Sequence, residues 1–267
     1  MKQRVITGIV AAGIFLPLLI IGGLPFTIFT YFLATVAIFE LLRMKNISIF
    51  SMPGLISVLL LWIFLLPSKY LYMLDDLNIT KIELSLLAVF IFLSYTVLTK
   101  NKFTIDDVGF VILATLYIGL SCFYLIEIRG SELIGLKYIF FVLIVVWSTD
   151  SGAYFIGKAI GKKKLWPDIS PNKTIEGSLG GILSAIIIGL IYYWLVPLTA
   201  LSLPKVIILT IILSIVGQIG DLVESALKRH FHVKDSGRLL PGHGGVLDRV
   251  DSWLFAIPIL HFILLIM

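Results

Sequence analysis

An all-α, polytopic membrane helix bundle is the fold class that the sequence predicts, and three observations predict it. Hydrophobic residues make up 59% of the 267, and Asp, Glu, Lys and Arg only 14%, against about 45–50% and about 25% in a soluble domain. The mean hydropathy of +1.05 is more apolar than one globular core can hide, so most side chains must face lipid or each other inside a bilayer. The apolar residues also fall into runs bounded by charges, Gly or Pro, each near the roughly 20 residues that a helix needs to cross hydrocarbon. The single cysteine, Cys122, stands in one of these runs. It has no partner for an intramolecular disulfide and reads as a small buried residue.

Nine spans, give or take one, are expected at about residues 5–23, 26–42, 54–74, 82–98, 108–126, 138–156, 179–198, 205–220 and 251–267. The first opens on the basic Met1-Lys2-Gln3-Arg4. Its apolar stretch exceeds the roughly 7–15 residues of a signal-peptide core and no small-x-small site follows, so it reads as a retained span. Only Gly22, Gly23 and Pro25 part the first two spans, and the eighth is short enough to be expected to continue past Asp221. Residues 1–137 then form an N-terminal transmembrane region of about five spans, and residues 138–267 a second region that carries the polar motifs.

The distribution of the 21 Lys and Arg residues checks that count, because cytoplasmic loops carry the excess of positive charge. With nine spans, only Lys69, Lys81, Arg129, Lys137 and Lys205 fall on one side, and all the rest on the other. The expected orientation is therefore N-terminus in the cytoplasm and C-terminus outside. The net charge of +5 reads as a topological signal spread over loops at one leaflet, which argues against a nucleic-acid partner.

Two cytoplasmic stretches are too polar to be plain connectors. Residues 157–178 contain Gly157-Lys158-Ala159-Ile160-Gly161-Lys162-Lys163-Lys164 and Ser170-Pro171-Asn172-Lys173-Thr174-Ile175-Glu176-Gly177. Gly admits phosphate to backbone N–H groups, Lys supplies charge and Ser or Thr supplies hydroxyl donors, a composition that suits a polyphosphate. No Walker loop is present, and a basic loop beside anionic headgroups is the alternative. Residues 221–250 contain Asp221, Glu224, Lys228, Arg229, Lys234, Asp235 and the glycine-rich run Pro241-Gly242-His243-Gly244-Gly245 before Asp248, Arg249 and Asp251. A helix entering at Lys205 reaches Asp221 after about 24 Å, near the cytoplasmic edge of a core about 30 Å thick. Asp248 and Asp251 share a face where the ninth span begins, at the helix end whose dipole favours negative charge. Carboxylates at such depth are candidate functional groups, and they supply the hard oxygen ligands that Mg²⁺ prefers. The alternative is a salt-bridge network of Asp221, Lys228 and Arg249 that only pins two helices.

Asp150 lies some 12 residues into the sixth span, and Asp150, Tyr154 and Lys158 recur every four residues along one helix face, which should turn toward the bundle interior. An internal ion pair is the alternative for Asp150. His230 and His232 lack zinc-type neighbours and read as solvated, and His261 reads as a packing residue. His243, flanked by glycines, reads as a donor to a phosphate oxygen.

These residues carry a resemblance. Ser225, Leu227, Lys228 and Arg229, then Lys234, Asp235 and Gly237, then Leu240, Pro241, His243, Gly244, Gly245, Val246, Asp248, Arg249, Val250 and Asp251 resemble the signature of the phosphatidate cytidylyltransferase, or CDP-diacylglycerol synthase, family. The segments Asp150–Tyr154 and Ser170–Gly177 are similar to family patterns too, so the specific resemblance covers about residues 145–267. It implies a nucleotidyltransferase that converts CTP and phosphatidate to CDP-diacylglycerol and pyrophosphate, with Mg²⁺ or Mn²⁺ as cofactor. On that footing Asp221 and Asp248 are the expected metal ligands, with Asp251 and Asp150 as additional or neighbouring ligands. Lys228 and Arg249 join Asp221 and Asp248 as expected catalytic residues. Lys173, Arg229 and Lys234 would hold phosphates, His243, Gly244 and Gly245 would donate to them, and Ser170 and Thr174 would be further hydroxyl donors. The expected partners are CTP, phosphatidate and the bilayer, with room for a homo-oligomer, in a bacterial inner (cell) membrane with the site facing the cytoplasm. A cavity beside spans six, eight and nine, walled by Asp150, Asp221 and Asp248, should admit both substrates under a Pro241–Gly245 cover. Rival readings are a CTP-dependent lipid kinase and a cation or lipid-phosphate transporter.

Overall fold

The computed structural model describes residues 2–71, 79–198, 201–242 and 244–266. Their elements are α1 (Lys2–Ile21), α2 (Gly23–Met44), α3 (Met52–Leu65), a 3-10 turn (Ser68–Tyr70), α4 (Lys81–Leu98), α5 (Ile105–Gly130), α6 (Glu132–Ile160), β1 (Lys164–Trp166), β2 (Ser170–Thr174), α7 (Ile175–Leu195), α8 (Leu203–His230) and α9 (Leu247–Ile266). The nine helices follow the nine expected runs in order. Seven of them are long and apolar enough to cross a bilayer, whereas α3 and the apolar part of α1, Ile6–Ile21, are shorter. The protein is thus an all-α integral membrane bundle, with one small hairpin that the hydropathy pattern did not foretell.

The chain packs as two compact units, one of residues 1–127 with 236–247 and one of residues 128–235 with 248–267. In the first, Gly22 and Gly23 take φ of 67° and 56°, values open to glycine, and so break α1 from α2. The expected third span, 54–74, stops as helix at Leu65. Leu66 precedes Pro67 and adopts ψ 116°, since a proline disfavours helical backbone before it. Lys81 Nζ takes up the exposed helix end by donating to the carbonyls of Phe64 and Leu66 at 3.0 and 2.8 Å. Leu41, Leu42, Leu61, Leu65, Phe92 and Ile118 are fully buried in this unit.

The second unit is built on close approach of α6 and α7. A Cβ at Gly177 would lie 2.8 Å from the Ala153 carbonyl oxygen, and one at Gly181 would lie 2.7 Å from that of Thr149. Small residues at four-residue intervals let helix backbones meet where lipid gives no hydrophobic driving force. Thr149 Oγ1 also donates to Ser214 Oγ at 2.8 Å, fixing α8 beside α6. Gly220 lies so near α9 that a Cβ there would be 2.7 Å from the Asp251 carbonyl oxygen. The eighth helix continues past Asp221, as its short apolar run predicts, and reaches His230, so that Asp221–His230 is helical.

Candidate active site

The approach of α6 to α7 leaves a cavity of about 420 Å³ at the end of α6 that carries Asp150, Tyr154 and Lys158. The three line its wall together, as their four-residue spacing requires. Asn172, Lys173 and Thr174 of β2, Ser178 of α7, and Gln218 and Asp221 of α8 add to the polar lining. Lys173 Nζ and Asp221 Oδ2 form an ion pair at 2.7 Å, with both side chains partly exposed. Asp221 Oδ1 accepts from Ser225 Oγ at 3.4 Å.

The hairpin delivers Lys173 to this wall. Antiparallel pairing of Lys164 with Thr174 and of Trp166 with Ser170 holds β2 against the start of α7. There Thr174 Oγ1 is the N-cap, accepting from Gly177 N at 3.1 Å. Thr174, expected as a substrate donor, lines the cavity and also caps the helix with an oxygen lone pair, while Ser170 lies at the far end of β2. Arg229 Nε donates to the Ile169 carbonyl at 3.2 Å, so this expected phosphate ligand steadies the hairpin turn. Glu176 accepts from Lys162 N at 3.0 Å and from Lys163 N at 3.2 Å.

A second cluster surrounds Lys228. Its ammonium donates to Asp248 Oδ1 at 2.6 Å and pairs with Glu224. The Asp248 and Glu224 side chains are 5% and 1% exposed. Asp248 is not among the described residues that line the cavity, and α7 takes the place expected of the ninth span in its wall. The pinning network foreseen for Lys228 is therefore real, but its acids are Glu224 and Asp248. Glu224 was noted in the polar stretch but given no role, although a carboxylate four residues before a lysine on a helix is a recognisable pair.

Two carboxylates on the cavity wall, those of Asp150 and Asp221, are of the hard-oxygen kind that a divalent cation takes. Asp251 of α9 stands where that helix meets α8 one residue before Asp221, since a Cβ at Gly220 would lie 2.7 Å from the Asp251 carbonyl oxygen. Lys173 is the cation paired with Asp221. Among the described residues no three His, Cys, Asp or Glu side chains converge as a ready ligand set. Mg²⁺ commonly accepts one or two carboxylates and completes its shell with water and substrate phosphates, which suits carboxylates that face an open cavity.

Of the other expected residues, Lys234 and Arg249 are exposed and Gly244 is partly buried. His243 lies outside the described residues. Gly245 is buried, and a Cβ there would collide with Ser236 and Glu40. Glu40 was missed in the sequence, though a carboxylate within the run 26–42 is a signal in itself.

Comparison with known proteins bears on this arrangement. The profile of the cytidylyltransferase family matches residues 2–267. The chain is 56% identical over 264 residues to the phosphatidate cytidylyltransferase of Bacillus subtilis (strain 168), covering 99% of this chain and 97% of that one. It is 48% identical over 266 residues to the phosphatidate cytidylyltransferase of Staphylococcus saprophyticus, and 45% identical over 265 residues to that of Staphylococcus aureus (strain COL), in each case over 99% of both chains.

Proposed function

The chain belongs to the cytidylyltransferase family, and from that premise we propose that it is a phosphatidate cytidylyltransferase, forming CDP-diacylglycerol and pyrophosphate from CTP and phosphatidate. The observation that supports the chemistry is the common cavity of Asp150, Lys173 and Asp221. A phosphate oxygen of phosphatidate attacks the α-phosphorus of CTP. The bond from that phosphorus to the oxygen bridging it to the β-phosphorus breaks, and pyrophosphate leaves with the electron pair. The nucleophile is a phosphate monoester, which by analogy with phosphoserine has a second pKa of about 6 and is largely ionised at neutral pH. No strong general base is needed, so catalysis rests on positioning and charge neutralisation.

Lys173 is the residue suited to hold a phosphate, and on moving to it would release an Asp221 oxygen. Asp221 and Asp150, with Asp251 beside them, would hold a divalent cation, which when bound offsets phosphate charge. Lys158 adds positive charge to the same wall. The asymmetry of Lys and Arg supports a site on the cytoplasmic side, where CTP arrives, while the acyl chains stay in the adjoining leaflet.

The test is incorporation of label by purified protein in detergent. Cytidine-labelled CTP should enter chloroform-soluble product only with phosphatidate present, releasing pyrophosphate, and a chelator should stop it. Label entering lipid from the terminal phosphate alone would overturn the reading in favour of a kinase.

A further inference from the structure

Glu40 lies near the end of α2 and is 2% exposed. An acid so placed in a membrane helix needs compensation, and much of it here comes from neutral donors on one distant stretch of chain. Glu40 Oε2 accepts from Ser236 Oγ and from Leu247 N, each at 2.9 Å, and Oε1 accepts from Val246 N at 2.9 Å. The two amides belong to the start of α9, where backbone N–H groups lack helical partners and negative charge is favoured.

Two signature glycines make room for this contact. A Cβ at Gly237 would lie 2.7 Å from the Glu40 carboxyl carbon, and one at Gly245 would strike both carboxylate oxygens. Between them the chain folds back on itself. Leu240 N donates to the Gly244 carbonyl at 3.0 Å, Gly242 and Gly244 take φ of 76° and 86°, and Thr7 Oγ1 donates to the Pro241 carbonyl at 2.9 Å. Pro241 and Gly242 are exposed at the tip.

We propose that Glu40 is a positioning residue for nucleotidyl transfer: its buried carboxylate sets the conformation of the described signature residues between Ser236 and Leu247, and binding of CTP depends on that conformation. This rests on the cytidylyltransferase reading. Gly237 and Gly245 then serve Glu40, whose carboxylate occupies the space that their side chains would fill.

The experiment compares full-length wild type, Glu40→Gln and Ser236→Ala in detergent, measuring kcat, KM for each substrate and amide hydrogen exchange. Glutamine keeps the shape but offers an NH₂ where a second acceptor was. Because small misplacements remote from the chemistry can cost as much as about 10²-fold, Glu40→Gln should raise KM for CTP about tenfold or more. KM for phosphatidate should stay within about twofold, as expected when only nucleotide binding is disturbed. The amides of Val246 and Leu247 should exchange faster. Ser236→Ala, which removes one neutral hydrogen bond, should raise KM for CTP about threefold. An unchanged KM for CTP in Glu40→Gln overturns the proposal, as does a fall in kcat with both KM values intact, which marks loss of folded enzyme only. If Glu40→Gln does not fold, Ser236→Ala decides, and an unchanged KM for CTP there overturns the proposal. Wild type that incorporates no cytidine would instead overturn the underlying functional reading before any variant is compared.

Discussion

Glu40 and Asp221 are both acids set into membrane helices, and their surroundings give them opposite uses. In the first unit Glu40 is sealed and accepts from two backbone amides and a serine, partners fixed by the fold. In the second unit Asp221 is a third exposed and meets the ammonium of Lys173 on the wall of a cavity. A lysine side chain can swing to another anion, whereas a backbone amide can move only with its chain. Acids bound by fixed neutral donors hold structure, and acids bound by one mobile cation beside an open space can exchange it for substrate or metal.

The Lys228 cluster breaks that division most forcefully, because it is ionic yet closed. Lys228 joins two carboxylates whose side chains are 1% and 5% exposed. Removing one partner of a buried ion pair costs about 3–5 kcal/mol, since the charge left behind has no compensation. Lys228→Met should therefore lower the thermal midpoint more than any substitution at the cavity wall, and adding Glu224→Gln should recover part of the loss. A midpoint within a few degrees of wild type would place Lys228 with Lys173 as an exchanging cation.

Asp221→Asn comes next and should act on rate alone. Loss of one preorganised charged group typically lowers kcat about 10²–10³-fold, or roughly 3–4 kcal/mol, while the partly exposed Lys173 pair adds little to stability. Steady-state assays and melting curves separate the two. A large fall in midpoint with kcat retained would make Asp221 a holding residue like Glu40.

The parts of this comparison that were legible in the sequence are those set by local pattern. Asp150, Tyr154 and Lys158 share a wall because four residues make about one helical turn, and the nine runs announced their helices by length alone. The end of α3 was misjudged because the apolar run continues past Pro67, and proline acts on backbone geometry rather than hydropathy. Glu40 was illegible for a different reason. Its partners lie about two hundred positions away, and no periodicity links residues brought together only by tertiary packing. Asp248 was paired with Asp221 as carboxylates of two helix ends, but the fold pairs Asp248 with Lys228 and Asp221 with Lys173. Thr174 has two readings that the sequence does not separate, since a threonine before Ile-Glu-Gly reads equally well as a ligand or as an N-cap, and the fold gives it the cap and a place in the cavity lining.

Glu176 gives the smallest expected effect and the finest test of what burial contributes. Like Glu40, it accepts from two consecutive backbone amides, those of Lys162 and Lys163, and like Glu40 it holds a glycine-containing connecting segment. The chemistry of the contact is therefore nearly the same. The setting is not, because Glu176 is partly exposed at the first turn of α7, where water can replace a lost hydrogen bond. Glu176→Gln should consequently change KM for CTP by no more than about fivefold, the range of exposed polar contacts, with no shift in midpoint. High salt should weaken the wild-type contact as well, because exposed charge is screened, whereas the sealed Glu40 contact should not respond. If the two Gln variants lose CTP affinity equally, burial is not what separates them, and the hold of a carboxylate on its loop depends on the number of amides it accepts from.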